Sequence, residues 1–298
     1  MTTFLDNVLN GLALGSVYAL VALGFVIIFK ASGVINFAHG SLLLLGGYLT
    51  AVLHEDLGFA GALAVAVLAT AAVAGLMDRF LLQVGGQDAH SAHVQTIVTI
   101  GVDIVILTDL SRRIGGDLLT LGDPWGDSVS GLGPITVADS RLAAIVVSTV
   151  VIAGVFALFR YTNWGLALRA SAEDMEAAAL MGVRLVRMRT LAWCLAGALA
   201  ALAAVFLAAF PAPGLERTTG QIALKAFPAA ILGGMASPPG ALAGSLLIGL
   251  TEALVAGYQS ELHVLGEGFG DVAPYAVMVL VLLVRPNGLF GAKGAARV

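Results

Sequence analysis

Charge is what this chain has least of. Only 11% of its 298 residues are Asp, Glu, Lys or Arg, less than half of the ~25% usual in soluble domains. A compact body of this size could not cover its surface with so few charges, which excludes a soluble enzyme, a nucleic-acid binder and a disordered chain. The net charge of −4 is too small to imply a strongly acidic or basic partner. Cysteine is nearly absent: Cys194 stands alone, so no intrachain disulfide and no cysteine-based redox or zinc framework is available. With three Trp and five Tyr there is little for a strong aromatic belt. No phosphate-binding G-x4-G-K-[ST] string occurs, which excludes ATP hydrolysis by that route. There is also no H-E-x-x-H string and no Ser/His/Asp arrangement, so no catalytic residue, no metal site and no cofactor is expected.

Hydrophobic residues, in contrast, make up 59% of the chain, and its mean hydropathy is +0.96. The solvent for most of this surface is lipid, and the length allows roughly eight to ten membrane-spanning helices of about 20 residues. Glycine, at 37 residues, is well above its usual ~7% share, as helices packed closely in lipid require. Gly11 and Gly15, and Gly240 and Gly244, each share one helix face and predict close helix contact.

The apolar runs fall at about 8–29, 58–77, 94–110, 142–159, 190–210, 222–235, 240–258 and 272–284. Residues 34–53 form a less regular run that becomes strongly apolar only at Leu42, and so read as a short or interrupted span. The run at 222–235 is too short to cross ~30 Å as a straight helix, and it ends in the break Ala236-Ser-Pro-Pro-Gly240. The expectation is one all-α, polytopic transmembrane domain over 1–298, with eight to nine spans and interrupted helices. The N-terminus has no basic region and no small-residue cleavage pattern, so the first run reads as a retained helix.

Five of the fifteen basic residues lie between Arg160 and Arg189, which predicts a cytoplasmic loop. Arg285, Lys293 and Arg297 predict a C-terminus on the same side, and counting spans back puts Lys30 and Arg79 there too. Arg112 and Arg113 then fall on the external side, against the rule. Inside the loop, Ala172, Met175, Ala179 and Val183 recur at helical spacing. Ser171 precedes the acidic pair Glu173 and Asp174 and reads as the cap, and Gly182 as the stop. Such a helix is either a solvated connector or a docking element for a cytoplasmic partner.

Ionisable groups inside apolar runs mark candidate pathway residues. Lys225 and Glu252 sit in adjacent predicted helices that a hairpin through Pro238-Pro239 would bring together, either as a gate or as a structural ion pair. Asp103 is a possible second partner for Lys225, and Asp109 belongs at the external interface. Asn36, Phe37 and His39 occupy the least apolar part of the interrupted run, where they either face a polar solute or cap a helix start. Tyr18 lies on the same helix as Gly11 and Gly15 and is expected to face the same interior.

Several stretches resemble the permease subunits of ABC importers for branched-chain amino acids. They include NGLALGSVYALVALG at 10–24, INFAHG at 35–40, LKAF at 224–227, ILGG at 231–234, GALAGS at 240–245 and LVRPNGLFG at 283–291. The pattern Arg169-Ala-x3-Asp174-x2-Ala177-Ala178-x3-Gly182-Val183 is similar to that family's ATPase-contacting loop. Ser41, where the family usually has an acid, and the charges at Asp103 and Asp109 depart from it. The resemblance implies a cytoplasmic-membrane subunit that works with two ATP-binding cassette ATPases, a second, paralogous permease and an extracytoplasmic solute-binding protein. It implies branched-chain amino acids or a related small polar solute as cargo. The competing reading of the residues alone is a free-standing, ion-coupled transporter or channel using Asp103, Lys225 and Glu252.

Overall fold

The computed structural model describes residues 2–82, 91–126, 128–132, 135–210, 214–261 and 269–291. Helix α1 (Thr2–Ser32) is apolar on every side, with no polar stripe to turn outward, and it is almost wholly buried. A helix of that pattern belongs in the middle of a bundle. Helix α2 (His39–Leu76) is about 57 Å long at 1.5 Å per residue, nearly twice the hydrocarbon thickness. It folds at Gly58, whose φ of 68° and ψ of 164° are non-helical and open to glycine. A π-helical turn (Met77–Leu82) extends it.

Helix α3 (Ala92–Ile114) and helix α4 (Asp139–Tyr161) follow, separated by a small antiparallel hairpin. Its strands are β1 (Val129–Leu132) and β2 (Ile135–Ala138), an addition to the expected all-helical chain. Helices α5 (Asn163–Glu173) and α6 (Met175–Leu180) form the loop before α7 (Leu185–Ala209). The short run resolves into α8 (Thr219–Ile222), a 3-10 turn (Ala223–Lys225) and α9 (Ala226–Gly233). Pro228 lies in the first turn of α9, where its missing N–H is not needed. Helices α10 (Pro238–Gly257) and α11 (Phe269–Val284) complete the bundle. Ser237 caps α10 by accepting a hydrogen bond from Gly240 N, with Pro238 and Pro239 in its first turn.

Six of the described helices are long and apolar enough to cross a membrane, and α11 is a shorter apolar helix. The two halves of α2 lie along α7 in opposite directions. Gly46 meets Ala201 and Gly47 meets Ala204, whereas Thr70 and Ala74 meet Gly197, Gly75 meets Cys194 and Asp78 meets Arg189 and Thr190. The interrupted run expected at 34–53 and the apolar run at 58–77 are therefore the two legs of one folded helix.

One end of the bundle gathers Lys30, Arg160, Arg169, Pro238 and Pro239, with Gly234 packed against Gly291. The other gathers His54 on Gly122, Leu119 bridged to Leu215, and Asn7 against Gly257. Between these ends the described residues make nine passes, because residues 215–233 also run from the second end to the first. Lys293 and Arg297 lie outside the described residues.

Glycines set the helix spacing. A Cβ at Gly11 would lie 2.7 Å from Leu250 Cα, one at Gly15 2.9 Å from Leu246 Cα, and one at Gly244 2.3 Å from Ala229 O. Both glycine pairs singled out in the sequence thus hold close helix contacts. At Gly46 the added carbon would lie 2.5 Å from Ala201 Cα, whereas at Gly101 it would meet nothing within 4 Å. Gly46→Ala is expected to cost about 1–3 kcal/mol through overpacking, read as a lower unfolding temperature in detergent. Gly101→Ala should leave that temperature unchanged or raise it.

Candidate translocation and coupling sites

A break in a helix frees backbone groups, and inside a membrane bundle they must find protein partners. Residues 33–38 are such a break, a non-helical stretch that ends in a turn at Phe37 and Ala38 before α2 starts beside Gly24. One face of α3 supplies the partners. Ile35 N donates to Thr96 Oγ1 at 3.3 Å, Phe37 N to Thr99 Oγ1 at 3.1 Å and Ser41 N to Asp103 Oδ1 at 3.3 Å. Thr99 Oγ1 donates in turn to Ile35 O. Asp103 therefore sits at the N-terminal end of α2, where a carboxylate is favoured by the helix dipole. It does not pair with Lys225, the partnership held open by the sequence. The recurrence of polar residues at 96, 99 and 103 in an apolar helix is the signal that marks this face, and the threonines were not among the candidates.

Asn36 and His39 are fully buried. Asn36 Oδ1 accepts a hydrogen bond from Ala38 N at 3.1 Å, the local capping role that was one of its two readings. The His39 ring packs 4.7 Å from Phe25 and occupies the space a Cβ on Gly24 would need. Phe227 of α9 lies 5.4 Å from Phe25 and 5.7 Å from Phe37, so an aromatic cluster joins the two broken segments. Their backbones also meet: a Cβ at Gly40 would lie 2.6 Å from Gly220 O. The cavity beside this contact, lined by Phe37, Ser41, Asp103 and Gln221 among others, holds about 20 Å³. That is room for about one water molecule, so the two segments are closely packed at this point.

Tyr18, Lys225 and Glu252 come together as one network. Tyr18 Oη donates to Glu252 Oε2 at 2.7 Å, and Lys225 Nζ donates to Glu252 Oε1 at 2.8 Å. Lys225 Nζ also reaches Asp271 Oδ1 at 2.7 Å. Glu252 is mostly buried, while Asp271 at the start of α11 is 74% exposed. The ammonium thus ties the broken segment to α10 inside and to α11 at the rim. Asp271 went unnoticed in the sequence because it follows a polar stretch and looks like an ordinary helix-start acid.

The loop between α4 and α7 is helical, with different boundaries from those expected. Thr162 caps α5 by accepting from Gly165 N. Ser171 lies within α5, its hydroxyl donating to Leu168 O and facing the Met188 sulfur, so it is not a cap. The cap is Asp174, whose Oδ1 accepts from Ala177 N at 3.0 Å and opens α6. A β-region Asp174 stops α5 first, which is why one predicted helix became two. Gly182, with φ of 88°, ends α6 as foreseen.

Of the apolar stripe, Ala172, Met175 and Ala179 are exposed, and Ala178 is the buried member of α6. Leu180 and Met181 are 89% and 86% exposed. Arg169, Glu173 and Ala177 are exposed as well. Just beyond, Arg189 Nε and Thr190 Oγ1 both donate to the fully buried carboxylate of Asp78, joining the root of α7 to the end of α2. Asp78 was also missed, hidden as the first charge after a long apolar run. At the opposite end Asp109 accepts from Arg112 and Arg113, so the two arginines that broke the charge rule are paired. No cluster of metal-ligating side chains occurs among the described residues.

Removing one partner of a buried ion pair leaves the other charge uncompensated, at a cost of about 3–5 kcal/mol. Lys225→Met is therefore expected to lower the unfolding temperature strongly, and Lys225→Met with Glu252→Gln to recover much of the loss. Asp271→Asn should cost less than about 1 kcal/mol, as exposed pairs do. A double-mutant cycle in detergent checks all three.

The curated proteins similar to this chain in sequence share one description. The family described as branched-chain amino acid transport system / permease component matches residues 7–283. The high-affinity branched-chain amino acid transport system permease protein LivH of Escherichia coli (strain K12) is 31% identical over 99% of this chain and 98% of its own length. BraD of Pseudomonas aeruginosa, named likewise, is 31% identical over the same shares. A probable LivH of Methanocaldococcus jannaschii is 30% identical over 91% of this chain and 88% of its own. A solved structure, PsaBC from Streptococcus pneumoniae in complex with Fab, has a TM-score of 0.42 at 16% identity, covering 92% of this chain and 87% of that one, a likeness too loose to define the fold. With its polytopic helical bundle and a family match over nearly the whole chain, this protein belongs to the permease components of branched-chain amino acid transport systems.

Proposed function

We propose that this chain is a membrane-spanning subunit of an ATP-driven importer, moving branched-chain amino acids or a related small polar solute into the cell. Its relatives carry branched-chain amino acid permease names, and the chain has no phosphate-binding loop of its own. ATP hydrolysis then belongs to two cassette ATPase subunits, solute capture to an extracytoplasmic binding protein, and the far wall of the pathway to a second permease. The end of the bundle carrying Lys30, Arg79, Arg160, Arg169, Arg184, Arg187, Arg189 and Arg285 is the cytoplasmic one. The C-terminus lies there and the N-terminus outside.

The observation that carries this reading is α6. It is a short capped helix on the basic end that exposes Met175 and Leu180, with Met181 exposed directly after it. A run of large exposed apolar side chains outside the lipid calls for a protein cover. Closure of the ATPase pair would press on α6, and the push would pass through Gly182 into α7. The Asp78–Arg189 link hands it to α2, whose first half leads to the close contact at Gly40 and Gly220. Tyr18, Asn36, Phe37, His39, Lys225 and Glu252 line or brace that region, and separation of the two broken segments would free backbone groups for a polar solute. Asp103, held by Ser41 N, serves the helix start here and not an ion-coupled cycle.

Leu180→Asp is expected to leave the unfolding temperature within about 0.5 kcal/mol equivalents of the parent, as for other surface changes, and to abolish co-purification of the ATPases. Asp174→Ala removes the α6 cap, worth ~1 kcal/mol, and should lower ATP-dependent uptake in proteoliposomes supplied with the binding protein. Uptake by the purified chain alone, without ATPases, would overturn the reading.

A further inference from the structure

A groove at the basic end joins two kinds of surface. One part is cationic: Lys30 from the end of α1, Arg160 from the end of α4 and Arg169 from α5. The other part is apolar: Ala153, Phe156 and Ala157, climbing α4 away from that end. From Ala153 to Arg160 the groove rises about 10 Å along the helix, so its upper half lies at the depth of the hydrocarbon and its mouth at the headgroups. Its volume is about 710 Å³, and the Pro238–Pro239 start of α10 closes one side.

None of the three cations has a carboxylate within ion-pair distance among the described residues. Lys30 Nζ makes only a long 3.5 Å contact with Ala236 O, and Arg160 lies over the ring of its neighbour Tyr161. Glu173, on the same helix as Arg169, attracts Lys30 across a longer distance and outweighs the repulsion between Lys30 and Arg169, so the cations can gather here. Three gathered cations over an apolar channel at a membrane face have the charge and shape of one molecule class.

We propose that this groove is a binding site for an anionic phospholipid, with its phosphate between Lys30, Arg160 and Arg169 and an acyl chain along Ala153, Phe156 and Ala157. Basic pockets between helices on the cytoplasmic side bind such headgroups, and the apolar half distinguishes a lipid from a free phosphate. The site needs only that the chain spans the membrane, so it stands apart from the identity of the solute and of the ATPases. It also brings the lipid to α5, directly before the coupling segment.

The test is native mass spectrometry of the full-length protein released from nanodiscs of dioleoyl phosphatidylglycerol or dioleoyl phosphatidylcholine. At least tenfold preferential retention of one phosphatidylglycerol is expected. Lys30→Gln and Arg160→Gln should each reduce it about fivefold, in line with the share of one cation near a membrane surface. Ala157→Trp should block retention without altering charge, and millimolar inorganic phosphate should not compete. A photoactivatable phosphatidylglycerol should label the peptide containing residues 153–160 in the unaltered protein, whatever the variants' stability. Equal retention of both lipids, indifference to the charge substitutions, displacement by free phosphate, or labelling elsewhere would overturn the site. So would efficient cross-linking of Ala157→Cys to a second polypeptide in native membranes, which would make the groove a subunit interface.

Discussion

A peptide group without a hydrogen bond is expensive in hydrocarbon, and this bundle contains two stretches where the helix stops mid-membrane. Everything near the centre is arranged around that cost. The 33–38 break is affordable because Thr96, Thr99 and Asp103 stand on one face of α3 and take up its amides. The break near 219–225 rests on glycine-to-glycine contact with the first, on the Phe25–Phe37–Phe227 cluster and on the Lys225 ion pairs. Each break is held by side chains from a different helix. The two therefore separate only if those helices move, which is the geometry a gated passage needs.

The same constraint explains which features could be read in the sequence. Segment positions followed from hydropathy, because lipid leaves few alternatives to a helix. The close glycine contacts and the meeting of Lys225 with Glu252 followed from spacing and chain reversal. Asp103 misled because a charge in an apolar run reads as functional before its neighbours are known. Its partner is a backbone amide more than 60 positions earlier, which no local pattern encodes. Ser171 reads as a cap on composition, with Asp174 as a first-turn acid, and only backbone conformation puts Ser171 inside α5 and makes Asp174 the cap. Asp78 and Arg189 lie 111 positions apart, at the ends of two apolar runs, where any charge looks like a membrane-edge residue.

One helix joins the loop region, both legs of α2 and the opposite end of the bundle. The beginning of α7 holds Arg189 and Thr190 against Asp78, its middle packs on both legs of α2, and its far end supports Trp125 through Phe206. Small residues along it (Ala192, Ala196, Gly197, Ala200, Ala201 and Ala204) are buried, so backbones lie close and side chains offer little give. A displacement at the loop end is then carried along the rod instead of being absorbed by rotamers.

The all-round burial of α1 has a consequence for how the protein is made. This helix precedes in the chain α4, α7, α9 and α10, the helices packed around it, and is therefore synthesised before any of them. Its Gly11 and Gly15 face must wait for α10, more than 200 residues later. Until then lipid fills the place. The last stages of assembly are therefore an exchange of lipid for protein around a helix already in position, and the most buried helix is among the last to complete its contacts.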